Sequence, residues 1–435
     1  MTNVAILGSG MAGFGASHRL RSAGLSPVMF EKLPHYGGHT SSHEWHGFMF
    51  DEGPHVSFTS DTRIQELLAD NIDGAYETLH AKINNLWRGH WIKHPAQVNL
   101  HGLPEDLVVD VIKDFVAVQD EPARKFKNYQ EWLYAAFGKT FAETFPMEYA
   151  YKYHTTTADN MSTDWLGPRF YRPSLDEVLR GALGPNTPHT HYVDYFRYPT
   201  RGGFAAYLRR FAQDADVRTS HEVSAVDPKR RLLTFRNGQR IDYTHLISSI
   251  PLKTLVPMIE GTPPDVLDAT DRLACTEVVL VNVGVDRADL LDAHWSYYYD
   301  REITFTRLST PHLLSPNNAP TGCGSLQAEC YFSAKYRPLD RSPDSLIEPV
   351  LRDLRKCGIL RESDRIIFAN TLHIPYANII FDLDRAAALE TVHGYLADIG
   401  IAWCGRYGEW GYQWTDEAFV SGENAAEQVL NLIGH

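Results

Sequence analysis

Residues 4–13 read VAILGSGMAG, an apolar run that ends in the pattern Gly8-x-Gly10-x-x-Gly13. A stretch typical of a helix follows at residues 14–23. In a strand, turn and helix unit, the first glycine permits a tight turn and the second lets the backbone approach a pyrophosphate. The third glycine allows close packing of helix and strand, and the helix dipole faces the phosphates. The stretch therefore predicts a cradle for a dinucleotide.

A carboxylate stands at the spacing expected for a ribose ligand. The short apolar segment 26–30 predicts a second strand, and Glu31 follows it, 18 residues after Gly13. In dinucleotide-binding folds an acidic residue near this position accepts hydrogen bonds from ribose hydroxyls. The alternative is a glycine-rich turn without a ligand, and the complete pattern favours the ligand.

Two further glycine turns follow Glu31 and Lys32. They are Tyr36-Gly37-Gly38-His39 and Asp51-Glu52-Gly53-Pro54-His55, separated by the aromatic stretch 46–50. This order resembles the FAD-binding start of the superfamily of amine oxidases, protoporphyrinogen oxidases and UDP-galactopyranose mutases. The resemblance implies FAD contacts at Gly8, Gly10, Gly13, Glu31, Lys32, Gly37, Gly38, Gly53 and His55. It also makes His55 the first candidate for a catalytic group beside the flavin, with a structural turn histidine as the alternative.

The middle and the carboxyl-terminal part of the chain resemble the same superfamily. Residues 401–412 and 415–423 are similar to the strand end and helix that return to the flavin, and residues 221–226 to the segment near the adenine. The resemblance implies cofactor contacts at Val223, Gly405, Arg406, Ser421 and Gly422. FAD is thus the expected cofactor.

Composition is typical of a compact soluble enzyme. Of 435 residues, 43% are hydrophobic, and the formal net charge is -13, which argues against nucleic acid or an anionic membrane as a partner. No apolar stretch approaches the roughly 20 residues of a membrane span. The first strand lacks the features of a signal peptide. Five scattered cysteines fit free thiols, so the cytoplasm is the expected location.

The resemblance, together with the periodicity of the chain, predicts an α/β fold with a discontinuous FAD domain. This Rossmann-like FAD-binding domain comprises residues 1–61, 199–252 and 385–435. It is interrupted by a mixed helical and antiparallel-sheet substrate-binding or cap domain, residues 62–198 and 253–384. Residues 62–157 are predicted to be helical, from apolar spacing at 64–68, 107–118, 129–137 and 141–149, and antiparallel strands are predicted within residues 278–331. The histidines at positions 35, 39, 43 and 46 are explained by a loop, so no metal site is expected.

Within the interrupting segments, several stretches resemble UDP-galactopyranose mutases. They are residues 149–153, 198–204, 305–307 and 329–331. Arginines there can donate two parallel hydrogen bonds to a phosphate or carboxylate, and tyrosines offer stacking faces with hydroxyls. The candidate substrate-binding residues are Tyr153, Arg169, Arg172, Arg201, Arg307, Tyr331 and Tyr376. A solvated or surface-paired side chain is the alternative for each arginine, and strand alternation predicts that Arg307 faces the same side as Phe305.

Three positions depart from the mutase pattern. His154 stands where the mutases have a tryptophan, Phe58 replaces a histidine, and Trp414 replaces an acidic residue. We therefore expect an FAD-dependent oxidoreductase with a polar small-molecule substrate, either a sugar, with or without a linked nucleotide, or an amine-bearing metabolite. The alternative is a mutase that interconverts the pyranose and furanose forms of a nucleotide sugar. A third hypothesis is a flavin-binding protein without catalysis. Nothing in the sequence indicates the oligomeric state.

Overall fold

The computed structural model describes residues 3–119, 124–167, 171–188 and 193–434. The α-helices are α1 (Met11–Ser22), α2 (Thr62–Asn71), α3 (Glu105–Ala117), α4 (Tyr129–Phe137), α5 (Lys139–Thr144), α6 (Pro146–His154), α7 (Leu175–Leu183), α8 (Arg209–Asp214), α9 (Leu252–Leu255), α10 (Pro264–Arg272), α11 (Ile347–Lys356), α12 (Arg385–Asp398), α13 (Gly405–Gly408) and α14 (Thr415–Ile433). The strands are β1 (Val4–Leu7), β2 (Val28–Phe30), β3 (Ser42–Trp45), β4 (Phe48–Asp51), β5 (Tyr76–His80), β6 (Ile83–Trp87), β7 (His90–Lys93), β8 (Tyr195–Pro199), β9 (Asp216–Arg218), β10 (Val223–Asp227), β11 (Leu232–Phe235), β12 (Arg240–Asp242), β13 (His245–Ser248), β14 (Glu277–Val285), β15 (Trp295–Tyr298), β16 (Arg307–Ser309), β17 (Gly324–Phe332), β18 (Ile366–Ile374) and β19 (Ile401–Trp403).

A five-stranded parallel sheet organises the first part of the fold. Its order is β19-β13-β1-β2-β9. One face packs on α1 and α14, and the other packs on β10–β12, α10 and α12. Strands of such a sheet are apolar on both faces because helices or a second sheet cover each side. This is the predicted Rossmann-like layer, and its strands fall within the segments expected to bind FAD.

A seven-stranded mixed sheet forms the second part, in the order β18-β14-β17-β16-β15-β6-β7. Its central strands β14 and β17 pair antiparallel over nine residues each. Alternate residues of β17 pack on α11, while Gln327, Glu329 and Tyr331 occupy the opposite face. Gln327 Nε2 donates to the carbonyl of Asp51 at 2.8 Å, so this face rests against the dinucleotide-binding part. The antiparallel strands predicted within residues 278–331 are confirmed.

The helical prediction for residues 62–157 is only partly right. Helices α2 to α6 are present, but residues 76–93 form β5, β6 and β7. Strands β5 and β6 pair with distant partners, β8 and β15, while β7 pairs with β6 in a local hairpin. The helical spacing behind the prediction lies on either side of residues 76–93, and the distant pairing of β5 and β6 is not visible in a local pattern.

Helix α10 lies within residues 253–384, the segment predicted to belong to the cap. In the structure α10 shares a hydrophobic cluster with α12 and β13 of the dinucleotide-binding part. The predicted boundary after residue 252 thus falls inside one packed core, and the domain division stays a prediction.

Candidate active site

The first glycine turn joins β1 to α1 as the sequence predicts. Gly8 has φ +92°, a left-handed conformation that glycine adopts without strain. A Cβ at Gly13 would lie 2.2 Å from the carbonyl oxygen of Gly8, so only glycine fits where helix and strand touch. Gly10, at the amino terminus of α1, makes no side-chain capping hydrogen bond. This geometry fits the pyrophosphate of a dinucleotide.

Glu31 ends β2 beside this turn, and its carboxylate is fixed by backbone donors. Oε2 accepts from the amide and hydroxyl of Ser9 at 3.1 and 3.0 Å, and Oε1 accepts from the amide of Leu33 at 3.0 Å. The carbonyl of Glu31 accepts from the amide of His221 at 2.7 Å, which brings the start of β10 and the buried Val223 close. Lys32 is exposed. The arrangement fits a ribose and adenine at this edge.

The second glycine turn lies on the first. Gly37 donates to the carbonyl of Ser9 at 2.9 Å, and Gly37 and Gly10 form an isolated parallel bridge. Gly38 approaches Gly10 so closely that a Cβ at Gly38 would lie 3.2 Å from the Cα of Gly10. The two turns therefore form one backbone-lined cradle that a side chain would fill.

His55 follows the third glycine turn and is held as a neutral ring. Its Nδ1 lies 3.0 Å from the carbonyl oxygen of Gly53, and burial lowers the pKa of His55 to about 4. Because a carbonyl only accepts, the proton resides on Nδ1 and Nε2 is left as an acceptor. The charges of His39, Arg406 and Glu52 act on the ring. His55 therefore lies where the predicted flavin turns meet.

Glu52 joins two of the histidines that precede it. Its carboxylate oxygens lie 3.2 Å from His39 Nδ1 and 3.1 Å from His43 Nε2. Burial opposes the charge of Glu52, but these two partners outweigh it and lower its pKa to about 2. Among the described residues, no group of three or more potential ligands is arranged to hold a metal ion.

The carboxyl-terminal residues reach the same cradle through helix packing. Gly405 has φ +75° and donates to Ser421 Oγ at 2.8 Å. A Cβ at Gly422 would lie 1.9 Å from the carbonyl oxygen of Ala12, so α14 touches the first turn of α1. Arg406 donates to the carbonyl of Gln413 and to Asn378 Oδ1 at 3.3 Å. The cofactor residues predicted from distant parts of the chain are thus neighbours.

A second group of residues forms a tyrosine-rich cluster around Arg307 on the large sheet. Arg307 lies opposite Glu329, and its Nε donates to Glu329 Oε1 at 2.6 Å. Tyr331 donates to the other oxygen of Glu329. Burial opposes the charge of Arg307, but Glu329 and the tyrosines outweigh it and hold the pKa of Arg307 well above its ordinary value. The guanidinium is therefore charged, and 22% of its side chain stays exposed.

Further tyrosines complete this cluster. The ring centroid of Tyr153 lies 5.3 Å from that of Tyr149, with the two rings stacked, and 4.7 Å from that of Tyr331. Tyr297 meets Tyr149 edge-on at 5.3 Å. Burial raises the pKa of Tyr153, and the charges of Tyr412 and Arg406 also act on it. The cluster therefore borders the carboxyl-terminal segment that reaches the cradle.

Sequence reasoning missed two members of this cluster. Tyr149 and Tyr297 were not among the predicted substrate residues, although Tyr149 stands four residues before Tyr153 on one helix face. The expected side of Arg307 was wrong. Phe305 packs 4.6 Å from Tyr298 in the core on α11, whereas Arg307 faces the tyrosines. Strand β16 begins only at Arg307, so alternation does not extend back to Phe305.

Other candidate substrate residues lie outside the cluster. Arg172 is exposed and donates to the carbonyl of Val118 at 3.1 Å. Arg201 is exposed in the turn after β8. The hydroxyl of Tyr376 lies 3.1 Å from Thr254 Oγ1, and its ring lies 6.1 Å from Tyr407. Arg169 lies outside the described residues.

The positions that depart from the mutase pattern occupy apolar surroundings. Phe58 and Trp414 meet edge-on with ring centroids 4.2 Å apart. His154 is buried against Trp165, and this burial lowers its pKa to about 3. A neutral ring and an aromatic pair therefore stand where the mutases carry a tryptophan, a histidine and an acid.

Comparison with known proteins identifies the family. The model of the flavin containing amine oxidoreductase family matches residues 11–430. The chain belongs to this family. It is an FAD-dependent enzyme, and the glycine cradle, Glu31 and the α1–α14 contact fit that cofactor.

Solved structures show how members of this fold compare with the chain. A reduced UDP-galactopyranose mutase is 25% identical, with a TM-score of 0.93, over 99% of this chain and 96% of the mutase. A putative protoporphyrinogen oxidase from Exiguobacterium sp. 255-15 is 16% identical, with a TM-score of 0.77, over 98% of each chain. A triple mutant of putrescine oxidase is 16% identical, with a TM-score of 0.66, over 99% of each chain.

In the part of the chain that the structure describes, no helix is long and apolar enough to cross a membrane.

Proposed function

We propose that this family member is an oxidoreductase whose polar substrate places an anionic group on Arg307. The observation that carries the proposal is the open face of this guanidinium. Its Nε is bonded to Glu329, while its two terminal nitrogens have no acceptor among the described residues. A desolvated guanidinium needs acceptors to offset the loss of water, and a phosphate or carboxylate supplies two in one plane.

The chemistry of the cluster favours a nucleotide-linked sugar over an amine. Tyr149, Tyr153, Tyr297 and Tyr331 give aromatic faces and hydroxyls around the guanidinium. Such side chains stack on a base or sugar while their hydroxyls bond to oxygen atoms. A cationic amine beside Arg307 would be repelled, so the alternative of an amine-bearing metabolite has less support.

The residues that would face the flavin favour oxidation or reduction over a mutase reaction. Bound FAD supplies a hydride acceptor, and a substrate needs only a carbon–hydrogen bond held against it. His55 can accept a hydrogen bond from a substrate hydroxyl at Nε2, and the Phe58–Trp414 pair offers an apolar surface beside it. The polar pair that mutases carry at these two positions is absent.

The mutase remains the second candidate, because of its structural likeness. The TM-score of 0.93 over almost the whole of both chains includes the substrate part and not only the FAD domain. A mutase of this kind would act on the same anionic, nucleotide-linked sugar. The two candidates therefore differ in the reaction and agree on the binding site.

Anaerobic addition of nucleotide-linked sugars to the oxidised holoenzyme separates the two candidates. We expect the absorbance of the oxidised flavin to bleach as one of them is oxidised. Unbleached flavin, together with isomerised product that forms only after dithionite reduction, would replace the proposal by the mutase. Neither bleaching nor product with any anionic sugar would support the non-catalytic hypothesis.

Arg307→Lys tests the anion site. Lysine keeps the charge and can pair with Glu329, but it loses the planar pair of donors. We expect the affinity for UDP to fall about tenfold to a hundredfold, with the flavin spectrum unchanged. Arg172→Lys is the matched control, because among the described residues Arg172 lies outside the cluster and bonds to the Val118 carbonyl, so the change should leave UDP binding unaltered. Equal UDP affinity in the two variants would remove the anionic-substrate proposal.

A further inference from the structure

Lys152 is a buried cation behind the tyrosine-rich cluster. Its side chain belongs to α6, the helix that carries Tyr149 and Tyr153, and only 5% of the residue is exposed. Its Nζ donates to the carbonyl of Asp300 at 2.8 Å and to that of Phe305 at 2.7 Å. Both carbonyls belong to the loop 299–306, which joins β15 to β16 and leads directly into Arg307.

This placement is costly for an ammonium group. Burial lowers the pKa of Lys152 to about 7, and the nearby charge of Arg337 lowers this pKa further. Asp300, Cys330 and Cys357 act in the opposite direction and raise it, but they do not offset the burial. The carboxylate of Asp300 accepts from the amide of Arg88 at 2.8 Å, and Nζ bonds to backbone carbonyls. An apolar side chain at this position would avoid the cost of desolvation. The feature that only the lysine provides is its pair of hydrogen bonds, which hold the carbonyls of Asp300 and Phe305 in place.

The same helix and loop share a second, exposed contact. Arg301 donates to both oxygens of Glu148 at 2.5 and 2.9 Å, and the side chains are 60% and 28% exposed. An ion pair in this setting contributes little because water and salt screen it. It joins the same two elements as Lys152 and provides a matched control.

We propose that Lys152 is a positioning residue that fixes Arg307 relative to Tyr153 and thereby sets the affinity for the anionic part of the substrate. The lysine touches neither side chain directly. Its hydrogen bonds connect the loop that precedes Arg307 to the helix that carries Tyr153. The distance between Arg307 and Tyr153 is therefore fixed. This inference rests on the proposed function of the site.

A double-mutant cycle with UDP tests the inference on the FAD-loaded enzyme. Lys152→Met keeps most of the volume and removes the donors, so UDP affinity should fall on the order of tenfold. In an Arg307→Met background the same change should alter affinity by at most about twofold, because the group it positions is gone. Glu148→Gln should leave UDP affinity unchanged in both backgrounds. A full loss from Lys152→Met in the Arg307→Met background would overturn the inference.

Hydrogen exchange of the loop 299–306 gives a readout that needs no ligand. We expect amides of this loop to exchange on the order of tenfold faster in Lys152→Met than in the parent, and at the parental rate in Glu148→Gln. Unchanged exchange in Lys152→Met would overturn the inference. This result decides the question even if the Arg307→Met variants bind UDP too weakly for the double-mutant cycle to be measured. Faster exchange in an enzyme whose parent does not bind UDP would support the role of Lys152 and refute the nucleotide-linked substrate. If Lys152→Met does not fold, Lys152→Gln, which keeps an uncharged donor, enters the same measurements with smaller effects in the same direction.

Discussion

Glu31 shows how single residues prepare the cofactor site. Glu31 as a residue is 7% exposed, and its carboxylate is oriented by three donors from Ser9 and Leu33. A carboxylate has about four lone-pair positions, so about one of them remains for a ribose hydroxyl. His55 is prepared in a similar way, since its bond to Gly53 selects the tautomer with a free acceptor at Nε2.

Replacing Glu31 with alanine should weaken FAD binding about tenfold to a hundredfold, because hydrogen bonds to a charged acceptor contribute roughly 1.5 to 3 kcal/mol. Turnover at saturating FAD should change much less. The FAD dissociation constant is measured by titration of the apoenzyme. Glu66→Ala, which removes an exposed carboxylate on α2, is the control and should bind FAD as the parent does. An unaltered constant in Glu31→Ala would mean that the carboxylate does not contact the cofactor.

At the level of elements, α1 and α14 approach each other through small residues. A Cβ at Gly15 would lie 2.0 Å from the carbonyl oxygen of Phe419, and one at Gly422 would lie 1.9 Å from that of Ala12. This close crossing places α14 against the amino terminus of α1. Strand β4 is held by hydrogen bonds rather than by close packing. The buried carboxylate of Asp51, at the end of β4, accepts from Ser42, Tyr198 and the amide of Phe204.

Gly422→Ala should lower the free energy of unfolding by about 1–3 kcal/mol or more, because the new methyl group meets backbone that cannot move away. FAD affinity should fall with it, since the crossing shapes the cradle. Gly394→Ala in α12 is the matched control. Nothing lies within 4 Å of a Cβ there, so the change should stabilise the helix by about 0.5–1 kcal/mol. Urea unfolding of both variants measures the contrast, and similar stabilities would contradict it.

Asp51 should make stability depend on pH. Burial raises the pKa of Asp51 to about 6, against hydrogen bonds from Ser42, the amide of Phe204 and Tyr198. The folded state therefore holds this proton more tightly than the unfolded state. The resulting stabilisation is present below pH 4 and is lost as the pH rises through about 6, a change of about 3 kcal/mol.

Asp51→Asn removes this titration while keeping the shape of the side chain. The difference in unfolding free energy between the parent and Asp51→Asn should shift against the parent as the pH rises from about 4 to 7. Urea unfolding at several pH values between these limits measures the shift. A difference that stays constant with pH would show that Asp51 does not change its protonation in this range.

At the scale of the whole molecule, the large sheet closes over the dinucleotide-binding part. The contact from Gln327 to the Asp51 carbonyl and the proximity of Tyr412 to Tyr153 connect the two. The cluster around Arg307 thus borders the segments that reach the cradle. Oxidation or isomerisation at the flavin would take place where the two parts meet.

The complete enzyme should hold FAD without a covalent bond. Cys404, beside Gly405, is fully buried, and burial raises the pKa of its thiol, so it is protonated and a poor nucleophile. Heat or acid should release a yellow supernatant whose mass is that of unmodified FAD. Flavin that stays with the denatured chain would contradict this expectation.

The sequence by itself determined the strand, glycine turn and helix unit in which we predict FAD binding. The conformation of Gly8, the packing of Gly13 and the position of Glu31 depend on contacts within this unit, so they can be read from a short stretch. The later turns at Gly37 and Gly53 follow within the same local segment. Their function requires glycine for steric reasons that no distant residue changes.

Only the tertiary structure decided which residues assemble into the cluster that we propose as the substrate site. In sequence Arg172, Arg201 and Arg307 are all candidates, but of these three the 307–329 register places Arg307 alone beside a buried carboxylate and the tyrosines. Tyr149 and Tyr297 join it from a helix and a distant strand. Strands β5 and β6 escaped prediction for the same reason. Strands that pair across more than a hundred residues are stabilised by the assembled sheet. A local sequence pattern contains no information about this distant partner.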